Sequence, residues 1–274
     1  MNKKSFLKNF RRNTSLKVKE IMTTDIISVD KDVDLGYVLK LMKKNDITKI
    51  PVFEEKKLVG LITDNRIAYK LGSIRKKGVP PSRLHASSVT DKNIECIEPE
   101  TDIKSILKKV GKTGPTMLCV KENDDLKGVI TKADLLPLVD SKKQIKDIMK
   151  KDVFTVSPDD RVIHARRIMV DSEIARLPVV DKGELMGIIS DNEIAFALAS
   201  IKRNFPLGRQ KHQLETLFVK DVMKTPVIFE EQSKTVKQAA EIMMKENIGA
   251  LPIVENNKLV GIISRTDLLH TISS

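Results

Sequence analysis

Gly261-Ile262-Ile263-Ser264-Arg265-Thr266-Asp267 reads as the end of a buried strand turning into a helix, with a hydroxyl and a carboxylate three residues apart at the turn. The same phrase occurs as Gly60-Leu61-Ile62-Thr63-Asp64-Asn65-Arg66, as Gly128-Val129-Ile130-Thr131-Lys132-Ala133-Asp134 and as Gly187-Ile188-Ile189-Ser190-Asp191-Asn192-Glu193. Four copies of one strand–turn–helix unit make this a repeat protein, and a repeat outranks any single element in deciding the fold.

Upstream of each turn the grammar is the same. A short segment ends in an apolar pair (Ile21-Met22, Ile148-Met149, Val222-Met223), and a brief strand such as Ile26–Val29 or Val153–Val156 follows. Apolar residues then recur at helical spacing over Val33–Lys44, Ile103–Val110, Val162–Val170 and Val236–Lys245. Next come a short strand, a charged turn (Glu54-Glu55-Lys56-Lys57, Glu255-Asn256-Asn257-Lys258) and the strand of the opening phrase. A charged turn between two apolar runs predicts a hairpin. The order is β-α-β-β-α, an α/β (α+β) class. The recurring methionines (Met42, Met169, Met243; Met22, Met149, Met223) are predicted to be core.

Pro51 matches Pro178 and Met22 matches Met149, both at an offset of 127 residues, whereas Asp134 matches Asp267 at 133. The duplication therefore has two levels, with two units per module and two modules per chain. The expected boundaries are a basic arm at 1–17 and units at 18–73, 87–140, 145–202 and 218–274. A unit of about 55 residues has too small a core to stand alone, so pairing is expected.

The chain has 274 residues, 41% hydrophobic and 31% charged, which suits a globular protein with a real core. No apolar run approaches the roughly 18 residues of a membrane span, and the N-terminus lacks a signal-peptide core, so a cytoplasmic location is expected. Lys3, Lys4, Lys8, Arg11 and Arg12 surround Phe6, Leu7 and Phe10, which fits a basic arm packed on the body or an amphipathic segment at a membrane surface. Cys96 and Cys119 sit in apolar strand contexts and are expected as buried free thiols. The net charge of +12 suits an anionic ligand, an acidic partner or nucleic acid, or reflects thermophile-like lysine usage. Only 4% of residues are aromatic and no nucleic-acid-reading motif is present. Neither a phosphate-cradling glycine loop nor metal spacing among His85, His164, His212 and His270 occurs. His164, beside Arg166 and Arg167, reads as an anion contact or as a half-exposed helix position.

The apolar–Pro–apolar strand in three units and the Gly-apolar-apolar-[Ser/Thr] turn in all four, with an acid three residues after the hydroxyl in three of them, resemble the CBS (cystathionine β-synthase) domain family over residues 18–274. The resemblance implies two CBS pairs (two Bateman modules) forming a disc. Four such domains without an attached enzyme look most like the nucleotide-sensing gamma subunit of AMP-activated protein kinase and its archaeal stand-alone relatives. It also implies a non-catalytic regulatory protein, a regulated partner protein, and disc dimers. The implied ligands are AMP, ADP or ATP, with S-adenosylmethionine or methylthioadenosine as the alternative.

A hydroxyl followed three residues later by an acid is also a capping box, which alone accounts for Thr131/Asp134, Ser190/Glu193 and Ser264/Asp267. The same carboxylate can accept hydrogen bonds from both hydroxyls of a ribose, and the two readings can coexist. The resemblance implies ribose contacts from Thr131, Asp134, Ser264, Thr266 and Asp267, with Ser190 and the longer Glu193 forming a poorer copy; Arg66 cannot accept from a diol. For adenine it implies Ile27, Ile47, Thr48 and Val129 with Asp134, and Asp152, Phe154, Ile174, Ala175 and Ile262 with Asp267. For phosphate it implies Lys49, Arg176, Lys132 and Arg265, which read equally as solvated cations. The kinase subunit's His-Arg phosphate pair is replaced here by Gly249-Ala250 and Thr48-Lys49.

Overall fold

The computed structural model describes residues 16–72, 79–110 and 117–272; the basic segment at Met1–Arg12 lies outside them. The first repeat runs β1 (Val29–Asp30), α1 (Leu35–Asn45), β2 (Lys49–Glu54), β3 (Lys57–Thr63) and α2 (Asp64–Leu71). The second runs β4 (Cys96–Ile97), α3 (Ile103–Val110), β5 (Met117–Glu122), β6 (Asp125–Thr131) and α4 (Lys132–Leu135). In the third, Val156 bridges Val179 in place of a first strand, and α5 (Val162–Asp171), β7 (Arg176–Asp181), β8 (Glu184–Ser190) and α6 (Asp191–Asn204) follow. A linker helix α7 (Leu207–Glu215), which the sequence reading did not anticipate, precedes the fourth repeat. That repeat runs β9 (Glu230–Glu231), α8 (Val236–Lys245), β10 (Ala250–Glu255), β11 (Lys258–Ser264) and α9 (Arg265–His270). The β-α-β-β-α order is borne out.

The helices form where the apolar spacing put them. In α1 the buried residues are Leu35, Val38, Leu39 and Met42, and in α8 they are Val236, Ala239, Ala240 and Met243, the same stripe of helical period. Asp34 caps α1 by accepting from the Tyr37 N–H at 3.0 Å, and Thr235 caps α8 by accepting from Gln238. Helix α4 stops after one turn because Pro137 follows it. Met42, Met169 and Met243 are at most 2% exposed, so their core placement holds.

Each hairpin turns through two residues of positive φ: Glu55-Lys56, Asn123-Asp124, Lys182-Gly183 and Asn256-Asn257. Positive φ at both central positions is the two-residue turn whose twist matches the flanking strands. Every hairpin also carries a register shift at the same place, between Val52/Phe53, Val120/Lys121, Val179/Val180 and Ile253/Val254. The first strands are shorter than expected. Ile26 and Ile27 carry no ladder and pairing begins at Val29, and in the third repeat only Val156 is bridged. Cys96 corrects another expectation: it opens a two-residue strand and is exposed, whereas Cys119 is buried.

The chain forms two compact units. One contains the chain up to Ile26, Glu95–Val153 and the chain from Ile228 on; the other contains Ile27–Ile94 and Phe154–Val227. Neither is a half of the sequence. Each core joins two repeats that are not consecutive, one with three and two with four, and the segment leading into each repeat leaves its own repeat and pairs with the neighbouring one. Thr23 bridges Val129, Asp91 bridges Leu61, Lys150 bridges Ile262 and Lys224 bridges Ile188. The leads of repeats one and two are thus exchanged, as are those of three and four. Each unit has its own core: Leu35, Met42, Ile50, Ile62 and Ile67 with Leu177 and Ile189 in one, Ile103, Leu118, Ile130 and Leu135 with Leu251 and Ile263 in the other.

The lead crossings explain the glycine that opens each turn phrase. A Cβ on Gly128 would lie 2.5 Å from Met22 Sδ, on Gly261 2.7 Å from Met149 Sδ, and on Gly187 2.8 Å from Met223 Sδ. At Gly60 the obstacles are Asp91 O and Thr90 Cγ2, both at 2.3 Å, Thr90 standing where the other leads have methionine. The recurrent Ile-Met and Val-Met pairs are therefore the packing surface of the exchanged lead.

Candidate functional site

The four turns share a backbone geometry and differ in side chains. Thr131, Ser190 and Ser264 each cap the following helix from an extended backbone, and each belongs to a complete capping box. Asp134 Oδ2 accepts from the Thr131 N–H at 2.7 Å and its hydroxyl at 2.9 Å. Asp267 Oδ2 accepts from the Ser264 N–H at 2.7 Å and its hydroxyl at 2.5 Å. Glu193 Oε2 accepts from the Ser190 N–H at 2.9 Å and also from its hydroxyl. One carboxylate oxygen is thus pinned in each turn. Of the second oxygens, Asp134 Oδ1 accepts from the Thr23 hydroxyl at 2.8 Å and Asp267 Oδ1 lies 4.0 Å from Lys150 Nζ.

The Arg66 turn is built differently. Thr63 accepts from the Arg66 N–H at 3.2 Å, so the cap survives without an acid. The guanidinium binds the second repeat's lead instead, with Nη1 2.9 Å from Asp91 Oδ2 and Nε donating to Val89 O at 3.2 Å.

Two cations expected at phosphate are engaged within their own unit. Lys132 Nζ donates to the Thr266 hydroxyl at 2.7 Å, which also occupies one of the expected ribose groups. Arg265 donates through Nε to Ile248 O at 3.0 Å and through Nη2 to Asn247 Oδ1 at 3.2 Å. In the other unit the equivalent positions are acids. Asp191 is 4% exposed, and Asn65 Nδ2 donates to its Oδ2 at 3.0 Å. Burial, reinforced by the charge of Asp64, pushes the Asp191 carboxyl up to about 6 against the hydrogen bond from Asn65. Burial raises Asp64 as well, with the positive charges of Lys49 and Arg176 opposing it. Lys49 and Arg176 therefore have carboxylate counter-charges inside their own unit.

Of the residues expected at adenine, Val129 is buried, Ile27, Ile47, Thr48, Ile174 and Ile262 are half-buried, and Asp152, Phe154 and Ala175 are exposed. Val129 and Ile262 are the residues that the leads bridge. Asp134 belongs to one compact unit and Ile27 and Ile47–Lys49 to the other, as do Asp267 and Phe154, so each is placed here within its own unit. The lead residues Thr23, Asp91, Lys150 and Lys224 were missed. The offsets already used for the turns would have found them, since Thr23 maps to Lys150 at 127 and Asp91 to Lys224 at 133.

His164 is exposed and lines a depression of about 400 Å³ with Asp159, Asp160, Arg161, Ile163, Arg167 and Phe218. None of the turn residues lines it. Arg166 packs over the Tyr69 ring, 5.7 Å from its centroid. Among the described residues no cluster of three or more His, Cys, Asp and Glu could hold a metal, and no helix is long and apolar enough to cross a membrane.

Comparison with known proteins accords with the repeat. The family model described as CBS domain matches residues 18–73, 86–141, 145–200 and 219–274. The uncharacterized protein MJ1404 of Methanocaldococcus jannaschii is 26% identical over 273 residues; the match covers 93% of this chain and 62% of that one. The crystal structure of protein MJ1225 from the same organism, itself proposed as an archaeal homolog of g-AMPK, superimposes with a TM-score of 0.80 at 25% identity, covering 93% of this chain and 99% of that one. A conserved protein of Pyrococcus horikoshii shares the fold at a TM-score of 0.58 and 21% identity, over 94% of this chain and 100% of that one.

Proposed function

The chain belongs to the CBS domain family, and we propose that it is a non-catalytic regulatory protein whose Asp134 and Asp267 turns hold the ribose of an adenosine ligand, AMP, ADP or ATP. The observation that carries this is the division of labour within each carboxylate. One oxygen is fixed by the turn's own N–H and hydroxyl, so the group is oriented before a ligand arrives. The other points at a lead side chain that a ribose hydroxyl can replace. A carboxylate has about four acceptor sites, so capping and diol binding are compatible. An ionised acceptor also makes the stronger bond, and a vicinal diol selects ribose over deoxyribose.

The Glu193 turn has the same cap with a longer side chain, and the Arg66 turn has no acceptor to offer. Two working turns are the reading. A sensor of this kind acts by binding two conformations unequally, without chemistry on the ligand. Methylthioadenosine or S-adenosylmethionine is a second reading, favoured by one observation: Lys132 and Arg265 already serve Thr266, Ile248 and Asn247, and these ligands ask for no phosphate contact.

Titration calorimetry with AMP, ADP, ATP, methylthioadenosine and 2′-deoxyadenosine monophosphate tests the proposal. Binding of AMP with discrimination against the deoxy compound, lost in Asp134→Ala/Asp267→Ala, is expected. Absence of binding at millimolar ligand, or binding unchanged in the double variant, overturns it.

A further inference from the structure

The lead residue beside each turn is held identically in all four copies. Thr23 and Val129 exchange N–H···O bonds of 2.9 Å in both directions. Asp91 and Leu61 do so at 2.8 and 2.9 Å, Lys150 and Ile262 at 3.0 Å both ways, and Lys224 and Ile188 at 2.8 and 3.2 Å. The backbone is therefore constant and only the side chain varies. In each copy the last residue of the turn phrase, the acid or Arg66, lies five residues beyond the bridged one: Asp134, Arg66, Asp267 and Glu193. The pairings are complementary in charge. A hydroxyl meets a carboxylate (Thr23 and Asp134), a lysine meets a carboxylate (Lys150 and Asp267), and where the turn carries Arg66 the lead carries Asp91. Lys224 stands at the corresponding place for Glu193.

We propose that this lead side chain is a specificity-determining residue, which decides whether its turn is open to a ligand and which ligand charge the turn accepts. This rests on the reading of the turns as ribose sites. The three contacts have different consequences. Thr23 is neutral and donates one hydroxyl to Asp134, so a ribose hydroxyl replaces it like for like and the turn keeps its negative charge. Lys150 is 60% exposed and reaches Asp267 only at 4.0 Å, too long for a hydrogen bond. It leaves the carboxylate free to accept while offsetting part of its charge, which lessens the repulsion a phosphorylated ligand would meet. Asp91 and Arg66 form a direct ion pair at 2.9 Å, supported by Arg66 Nε on Val89 O, and that turn is closed. The Asp267 turn thus accepts anionic and uncharged adenosine compounds alike, and the Asp134 turn favours uncharged ones.

Calorimetry on the full chain with AMP and with adenosine, at low and moderate salt, tests this through two variants. Lys150→Thr copies the Asp134 arrangement. It is expected to weaken AMP binding at one of two sites by roughly 3- to 10-fold, the scale of one screened charge, and to leave adenosine unchanged. Arg66→Asp/Asp91→Thr copies the same arrangement into the closed turn and is expected to add one equivalent of bound adenosine. Equal loss of AMP and adenosine in Lys150→Thr, or no change in either, overturns the proposal. So does a folded double variant that gains no equivalent. If the double variant fails to fold, the Lys150→Thr result decides alone. Wild-type protein that binds neither compound removes the ribose reading and this inference with it, which distinguishes that failure from a failure of the lead residue alone.

Discussion

Replacing Asp191 by asparagine should stabilise the protein at neutral pH and not at acid pH. Asp191 is the first residue of α6, is 4% exposed, and accepts one hydrogen bond from Asn65 Nδ2 at 3.0 Å. Its carboxyl titrates at about 6 in the folded chain against an ordinary 3.8. Below pH 3.8 the group is protonated in both states and contributes nothing. Between 3.8 and about 6 the unfolded chain releases its proton first, so stability falls as pH rises. At about 1.36 kcal/mol per pH unit the loss is about 3 kcal/mol, complete above pH 6. Asparagine has the same shape and keeps an oxygen for the Asn65 amide, so the variant escapes that loss. Urea unfolding across pH 4 to 8 should give two curves that nearly meet at about pH 4 and separate by about 3 kcal/mol above about pH 7. In thermal unfolding that is on the order of 6 to 12 °C for a chain of this size. A difference that is the same at every pH, or an asparagine variant less stable at pH 8, would refute the argument that burial dominates this carboxyl.

Gly60→Ala should cost more than Gly128→Ala, because its Cβ meets the Asp91 carbonyl at 2.3 Å whereas that of Gly128 meets the movable Met22 sulfur first; about 1–3 kcal/mol is expected for Gly128→Ala by urea unfolding, and equal losses would count against the lead-crossing explanation. Glu55→Asn/Lys56→Gly should stabilise the first hairpin by about 1–2 kcal/mol in the same assay, since Glu55 and Lys56 hold φ of 48° and 67°, where glycine and asparagine pay less. In the native protein a thiol reagent should label Cys96 at neutral pH and spare Cys119, whose burial raises its thiol to about 12; labelling of both at equal rates would contradict that burial.

The stripes of α1 and α8, the four hairpins and the capped turns were legible because each is a local pattern. Leu35, Val38, Leu39 and Met42 repeat at helical spacing whatever they pack against. Thr131 and Asp134 form their box within four residues. The short first strands were overread because Ile26 and Ile27 are apolar, and apolarity marks a buried segment without saying whether a neighbour's backbone lies alongside. Cys96 was misplaced for the same reason: its apolar context does not reveal that β4 begins there and exposes it. At the turns the acids were found and their partners were not, since Thr23 and Asp134 are 111 residues apart.

The sequence by itself determined the repeat, its β-α-β-β-α order, the turns that offer a carboxylate and the one that cannot. Those depend on residue identity and on spacings of a few residues. Only the tertiary structure decided that the leads are exchanged, that the compact units join repeat one with three and two with four, and that Asp191 is buried. These depend on which distant segment reaches a backbone edge or an apolar face first. Many segments of this chain carry the same pattern, so side-chain periodicity alone cannot choose among them; backbone pairing and close packing against a glycine do.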